Sequence, residues 1–444
     1  MKINRDFALR LVDEAMRGGA DYAEVYLKTS RNLTVEVKNQ KVDAIESSVG
    51  FGYSIRVIRD MRLGFSFSTD IKESGSVVES AIEASKWTEQ DNYLELPLPS
   101  NGSEAKIFDP SIASLNEEDA VNSAVLIEKS ALDADSRIKK TRKASASFSE
   151  KNVHILNSRG IDNTYSSTEC SAQITVVAED NADSQMGWDF DGSRFISDLK
   201  FGDVGRNAAA RALQMLGARK TSATKTHVIL DNTVATEFLS IFASLLSSEA
   251  VQKGKSLLSG KLNQQVVSPL LNIIDDGCLP HRLGSRPFDD EGVPTFRKDL
   301  IKDGELLGYM YNVYTAKKDG VRSTGNAVRG GFSSLPSVGP SNMFIDAGDR
   351  PVRQNELISM LDKGICITEA MGVHMANPVS GEFSIGVSGL WIENGSVRFP
   401  VKEAVISGNI LDFFSKVVAL GDDLRFYGNM ASPSIIVGPV DISA

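Results

Sequence analysis

The sequence predicts an α+β fold: an N-terminal domain mixing helices with antiparallel hairpins, followed by a mainly antiparallel β domain. Three observations carry this reading. Apolar residues switch between helical and period-two spacing through the first half. The second half is dense in glycine turns and short strands. The 444 residues exceed the roughly 250 to 300 at which one hydrophobic core stops growing. Residues 1–217 and 227–444 are the expected domains, with 218–226 as the linker.

The first helix follows from Ala8, Leu11, Val12, Ala15 and Met16, which recur on one face before Gly18-Gly19 ends the run. Leu33, Val35 and Val37 then alternate, Lys38-Asn39-Gln40-Lys41 turns, and Val42, Ala44 and Ile45 return, which describes a hairpin. GYSIRVI and LGFSFS around Arg59-Asp60-Met61-Arg62 form a second hairpin. The next helix turns Val78, Ala81, Ile82 and Ser85 inward, so the opening unit reads α-β-β-β-β-α.

Asn116 with Asp119 marks a helix start, because a short polar side chain there satisfies a free backbone amide. The buried stripe of that helix is Ala120, Val121, Ala124, Ile127, Ala131 and Leu132. Strands follow around residues 144–148, 153–156 and 170–176, then an Ala-rich helix over about 204–216. ARKTSATKT, residues 218–226, is polar and aperiodic, which suits a linker. Beyond it Val234, Phe238, Ile241, Phe242 and Leu245 describe one long helix, followed by strands such as GICIT and SIIVGPV. Glu393-Asn394-Gly395-Ser396 is a hairpin turn, since Asn-Gly readily adopts positive φ.

Composition narrows the function. Hydrophobic residues at 41% and charged residues at 24% suit a folded chain with a wet surface. A net charge of −10 argues against direct nucleic-acid binding, which rests on clustered Lys and Arg. The densest basic run, RIKKTRK at 137–143, reads as a solvated strand or turn. Cys170, Cys278 and Cys366 form no C-x-x-C pair, so neither a disulfide framework nor a zinc knuckle is indicated and a reducing compartment fits. No apolar run reaches the ~18 residues of a membrane span, so a cytoplasmic protein with no membrane partner is expected.

Few residues offer chemistry. His154, His227, His281 and His374 are isolated, whereas a zinc hydrolase clusters three ligands, so structural or surface roles are expected. Gly254-Lys255-Ser256 lacks the earlier glycine of a phosphate loop, with Glu249 in its place. Neither Ser384 nor Ser388 fits G-x-S-x-G, because Glu382 and Leu390 stand where glycines belong. Ser136 and Lys139 match S-x-x-K without the other elements of such a site. Asp275-Asp276 and Asp289-Asp290-Glu291 frame a segment with Pro280, His281 and Arg282. Such carboxylates can bind a cation or act as acid and base. The preferred reading is turns, where Asp bonds nearby amides.

The segment IIDDGCLPHRLGSRPFDDEGVPTFRKDLIKDGELLGYMYNVYTAKKDGVRSTGNA resembles the C-terminal half of the TldD/PmbA peptidase family, also called modulators of DNA gyrase. NPVSGEFSIGVSGLWIENGSVRFPVKEAVISGN, GADYAEVYL and GYSIRVIRDMRLGFSFSTD extend the resemblance over nearly the whole chain. In TldD-type members, H-E-x-x-x-H lies on the helix opening the C-terminal domain and a later Cys completes the metal site. Anchored on GKSLLSG, those positions fall here on Leu239, Ser240 and Ser244, and no His lies between His227 and His281. The tail LRFYGNMASPSIIVGPVDISA has no Cys, and Cys366 upstream reads as a small buried residue.

GVSGLWIENG and SRPFDDEGVPT look closest to PmbA chains, called TldE when paired. The resemblance implies no cofactor on this chain and zinc or a similar metal in a TldD-like catalytic partner. It also implies peptide or unfolded-protein substrates held extended by pairing to sheet edges, with a homodimer as the form in isolation. Two other readings stand beside it: a stand-alone metal-dependent hydrolase using Asp275, Asp276, Asp289, Asp290 and Glu291, and a binding protein for a macromolecule such as DNA gyrase.

Overall fold

The computed structural model describes residues 5–349 and 351–443. Helix α1 (Arg5–Arg17) buries Phe7, Ala8, Leu11, Val12 and Ala15. Met16 is 38% exposed and so lies off the predicted stripe, which Phe7 completes one turn earlier. Strands β1 (Tyr22–Lys38), β2 (Lys41–Arg59) and β3 (Arg62–Ser68) form a meander whose tight turns place Asn39, Gln40, Asp60 and Met61 at positive φ. The opening unit therefore holds three strands and not four, because the return of the first hairpin and GYSIRVI are one continuous strand. Val42 and Ile45 on that strand are exposed.

Helix α2 (Ser74–Ser85) buries Val77, Val78, Ala81 and Ser85, while Ile82 is half-buried. A side chain at Gly64 of β3 would collide with the Ala81 carbonyl, so glycine lets α2 rest directly on the sheet. After α3 (Pro110–Ala113), Asn116 caps α4 (Glu117–Leu132) by accepting from the Asp119 amide at 2.9 Å. Strands β4 (Ile138–Asn157), β5 (Asp162–Asp180) and β6 (Asp183–Ser193) then complete one antiparallel sheet of order β3-β2-β1-β4-β5-β6. Residues 144–148 and 153–156 again belong to a single strand, β4. Helix α5 (Phe201–Gln214) packs with α4 over one stretch of this sheet, while α1 and α2 cover another.

The last third of the expected linker is strand: β7 (Thr224–Leu230) starts inside it, and Arg219 already bridges to Val401 with its guanidinium 3.7 Å from the Phe399 ring centre. Thr224 and Lys225 are polar because they extend beyond the buried part of β7, which hid the strand from a periodicity reading. Helix α6 (Asn232–Leu245) and the short α7 (Ser248–Gln252) come next. The strands β8 (Asn272–Asp276), β9 (Arg297–Lys302) and β10 (Glu305–Leu306) precede α8 (Val313–Asp319). They are followed by β11 (Ala327–Val328), β12 (Ser337–Val338) and β13 (Met343–Asp346).

The chain finishes with β14 (Lys363–Met371), β15 (Glu382–Glu393), β16 (Ser396–Asn409), β17 (Val417–Leu420), β18 (Arg425–Tyr427), β19 (Met430–Ser432) and β20 (Ile435–Ser443). Two six-stranded sheets result, β10-β9-β8-β13-β19-β18 and β16-β15-β14-β7-β20-β17. All ladders in them are antiparallel except β13 with β19 and β14 with β7. Helix α6 lies between the two sheets: Phe238 stacks on Phe413 at 5.1 Å and meets Phe383 edge-on at 5.4 Å, within the largest apolar cluster. Full burial of one such side chain contributes roughly 1.5 to 3 kcal/mol.

Candidate functional site at the seam of the two halves

Asp231 caps α6 by accepting from the Val234 amide at 2.8 Å. From that start the helix fixes the three positions singled out by resemblance. Leu239 is fully buried in the apolar core. Ser240 is exposed and donates to the Glu237 carbonyl at 2.6 Å. Ser244 donates to the Ile241 carbonyl at 2.7 Å. A hydrocarbon and two hydroxyls turned back onto their own helix do not suit a zinc site, which needs imidazole, thiolate or carboxylate donors. Among the described residues no group of three or more His, Cys, Asp or Glu side chains is arranged to hold a metal.

The thiols and imidazoles lie elsewhere. Burial pushes Cys170 and Cys366 up to about 12, which keeps both protonated. Cys278 donates to the Thr295 carbonyl at 3.3 Å. His154 Nε2 meets Asp162 at 2.7 Å, His281 Nδ1 meets Asp198 at 2.7 Å, and His227 is exposed on β7. The side chain of His374 lies outside the described part of the structure.

The two acidic runs come together, but as caps and ion pairs. Asp275, fully buried, accepts from Lys298 Nζ at 2.9 Å, Asn326 at 2.8 Å, and the Ser341 amide and hydroxyl at 2.7 and 2.8 Å. Asp276 accepts from the Cys278 amide at 2.8 Å. Asp289 takes the amides of Glu291, Val293 and Ala327 at 2.9, 3.0 and 2.9 Å. Burial first, then the neighbouring Glu291 charge, raises Asp289 to about 7. Asp290 pairs with Arg286 at 2.9 Å and accepts from the Arg329 amide at 2.8 Å.

Glu291 reaches into the other half of the molecule. It accepts from Arg56 Nη1 on β2 at 2.9 Å and from the Val313 amide opening α8 at 2.8 Å. Arg56 Nη2 also binds Glu24 of β1 at 2.8 Å, and Glu24 binds Arg329 at 2.6 Å. All four side chains are at least nine-tenths buried. Burial alone would lower Arg56, but Glu24 and Glu291 overcome it and raise its pKa. Sequence reasoning missed Glu24, Arg56 and Arg329. The available signal was parity: in GYSIRVI, Tyr53, Ile55 and Val57 form one face, leaving Ser54, Arg56 and Ile58 on the other.

Arg56 also forms part of the wall of a cleft of about 630 Å³ at this seam, a size typical of ligand sites, roughly 300 to 1,000 Å³. Ile58 and Leu63 of the N-terminal sheet line one side, Glu249 and Gln252 of α6's successor α7 another, and Leu335 and Pro336 a third. The cleft therefore adjoins the segment that follows α6.

A second titratable group sits within α6. Glu237 is raised to about 7, chiefly by burial and then by the charges of Asp231 and Glu369. The folded protein holds this proton above the ordinary glutamate value of 4.5, where the unfolded chain has released it. Stability is therefore expected to fall as pH rises from about 4.5 to about 7 and to level off above that. Glu237→Gln is expected to flatten this decline in urea midpoints measured across that window, and an unchanged slope would exclude Glu237 as its source.

With the geometry established, comparison with known proteins gives a consistent answer. Three family models match in chain order: PmbA/TldA metallopeptidase domain 1 over residues 23–86, the central domain over 110–216, and the C-terminal domain over 223–444. The chain is 30% identical to metalloprotease PmbA of Escherichia coli O157:H7, covering 97% of this chain and 94% of that one. It is 28% identical to a metalloprotease TldD homolog of Haemophilus influenzae, covering 93% and 88%. A Thermotoga maritima structure named for modulation of a DNA gyrase superposes with a TM-score of 0.90 at 28% identity, covering 99% of both chains. TldE from Thermococcus kodakarensis shares the fold with a TM-score of 0.89 at 23% identity, covering 99% and 100%. From its first strand to its last, then, this chain belongs to the PmbA/TldD metallopeptidase family.

Proposed function

We propose that this chain is a non-catalytic, TldE-like subunit that completes a peptidase together with a metal-bearing, TldD-like partner. The observation that carries this is the pairing of full-length family membership with α6, where Leu239 is core and Ser240 and Ser244 are bonded to their own helix. The metal belongs to the partner, and the substrates are small or unfolded peptides. Three free cysteines suit a cytoplasmic location, and no helix among the described residues is long and apolar enough to cross a membrane.

Co-expression with a family member carrying H-E-x-x-x-H tests the reading. A stable complex with at least tenfold more peptide cleavage than either chain alone is expected, with zinc retained only when the partner is present. No complex and no gain in cleavage would sink it. The stand-alone hydrolase reading is disfavoured by Asp275, Asp276, Asp289, Asp290 and Glu291, each of which is already engaged by internal donors. Elemental analysis of the pure chain separates the two, because that alternative requires bound metal.

A further inference from the structure

Where β6 ends, the two halves of the chain enclose a small polar cavity of about 270 Å³. Asp191 and Ser193 of β6 and Asp198 from the turn after it line one side, and Pro280, His281 and Arg282 of the C-terminal half line the other. His281 sits at φ 66°, a left-handed conformation uncommon outside glycine and kept only where the surroundings enforce it. Here they do: its amide donates to the Lys106 carbonyl at 3.1 Å, and its carbonyl accepts from the Arg194 amide at 3.0 Å. Its ring stacks on Phe195 with centres 4.0 Å apart. Two successive side chains, which extended backbone would send to opposite faces, are thereby both turned to one cavity.

The charges around this space are not matched to one another. Asp198 is engaged, by His281 Nδ1 at 2.7 Å and by the Ser193 hydroxyl at 3.2 Å. Asp191 accepts only the amide of its neighbour Gly192, at 2.8 Å through Oδ1. Arg282 rests its guanidinium over the Phe426 ring at 4.3 Å. Among the described residues neither Asp191 nor Arg282 has an ion-pair partner, and the Arg282 side chain donates no hydrogen bond. Desolvation raises Asp191 and lowers Arg282, so each charge stands short of a counterion. Opposite charges thus line the same small space without touching.

A volume just under the roughly 300 to 1,000 Å³ of common ligand sites restricts the occupant to a small molecule. A lone anion such as phosphate would meet the carboxylates of Asp191 and Asp198, and a lone cation would meet the Arg282 guanidinium. A compact zwitterion meets neither objection. We propose that this cavity binds a free α-amino acid, its carboxylate on the Arg282 guanidinium and its ammonium on the free oxygen of Asp191. The planar guanidinium fork suits a carboxylate in two parallel bonds. With Nδ1–H committed to Asp198, His281 presents Nε2 as a further acceptor for the ammonium. The ligand class follows from the charges alone and goes beyond the reading of a peptidase subunit; if that reading also holds, the ligand is an end product of peptide hydrolysis.

The test titrates the full chain, without any partner, calorimetrically with L-alanine, whose backbone carries every charge invoked. The comparisons are N-acetyl-L-alanine, which lacks the ammonium, L-alaninamide, which lacks the carboxylate, and inorganic phosphate. Saturable binding of L-alanine is expected, at least tenfold weaker binding of each blocked analogue, and no saturable binding of phosphate. Arg282→Gln and Asp191→Asn should each weaken L-alanine at least tenfold with the circular dichroism unchanged, and Arg282→Lys, which keeps the charge, should lose less. No saturable binding up to tens of millimolar L-alanine, equal binding of the blocked analogues, or a preference for phosphate overturns the proposal. If a variant fails to fold, the analogues on the native chain still decide. Complex formation with a metal-bearing relative is a separate readout, so either idea can fail alone.

Discussion

Arg56→Met is expected to destabilise the protein by about 3 to 5 kcal/mol, the usual consequence of removing one partner from a buried ion pair. Methionine keeps much of the volume, so the loss is electrostatic. Glu291 would retain only the Val313 amide, while Glu24 would retain Arg329. Glu291→Gln in the same background should restore part of the loss, because the uncompensated charge is then gone. Urea unfolding of the two single variants and the double variant measures this coupling. A change under about 1 kcal/mol for Arg56→Met would show that the seam is solvated and its charges screened.

Leu239→His carries the second large effect. If position 239 still stood at a metal site, an imidazole would be tolerated there. In this fold it replaces a fully buried leucine between two sheets. The loss of apolar burial with an unsatisfied ring nitrogen gives an expected destabilisation of roughly 3 to 5 kcal/mol. Ser240→Glu, on the exposed face of the same helix, should change stability by less than about 0.5 kcal/mol. The contrast, read from unfolding midpoints, tests both the register assigned to the motif and its conversion into core. A mild effect at 239 would show that the register is wrong.

Local chemistry was readable from the sequence wherever one short segment decides the outcome. Asn394-Gly395 turns, Asn116 caps its helix, and Phe238 with Phe242 face the core as their spacing requires. What escaped depends on distant partners. β2 and β4 were each split in two because their apolar alternation stops midway. Residues 41–49 of β2 are mostly exposed, and residues 149–152 of β4 are half-buried. β4 crosses from one helix layer to the other there, and residues 41–49 of β2 run beyond the helices that cover the rest of that strand, so no apolar side chain is demanded although the backbone ladder continues. The seam was hidden for the same reason. Glu24 and Arg329 lie 305 positions apart, and no local pattern announces their contact. The acidic runs were visible, but whether a carboxylate serves a metal or a backbone amide is decided by the strands around it.

These uninterrupted strands also govern how the molecule opens. β1 pairs along its length with β2 on one side and β4 on the other, and β4 comes from the region matched by the central family domain. Excising the first matched segment would strip β1 of one complete ladder. Amide exchange along β1 should therefore report a single protected unit, with Val25 and Val35 exchanging by the same global opening although different helices cover them. Domains that are separable as sequence profiles would then be one cooperative body in solution.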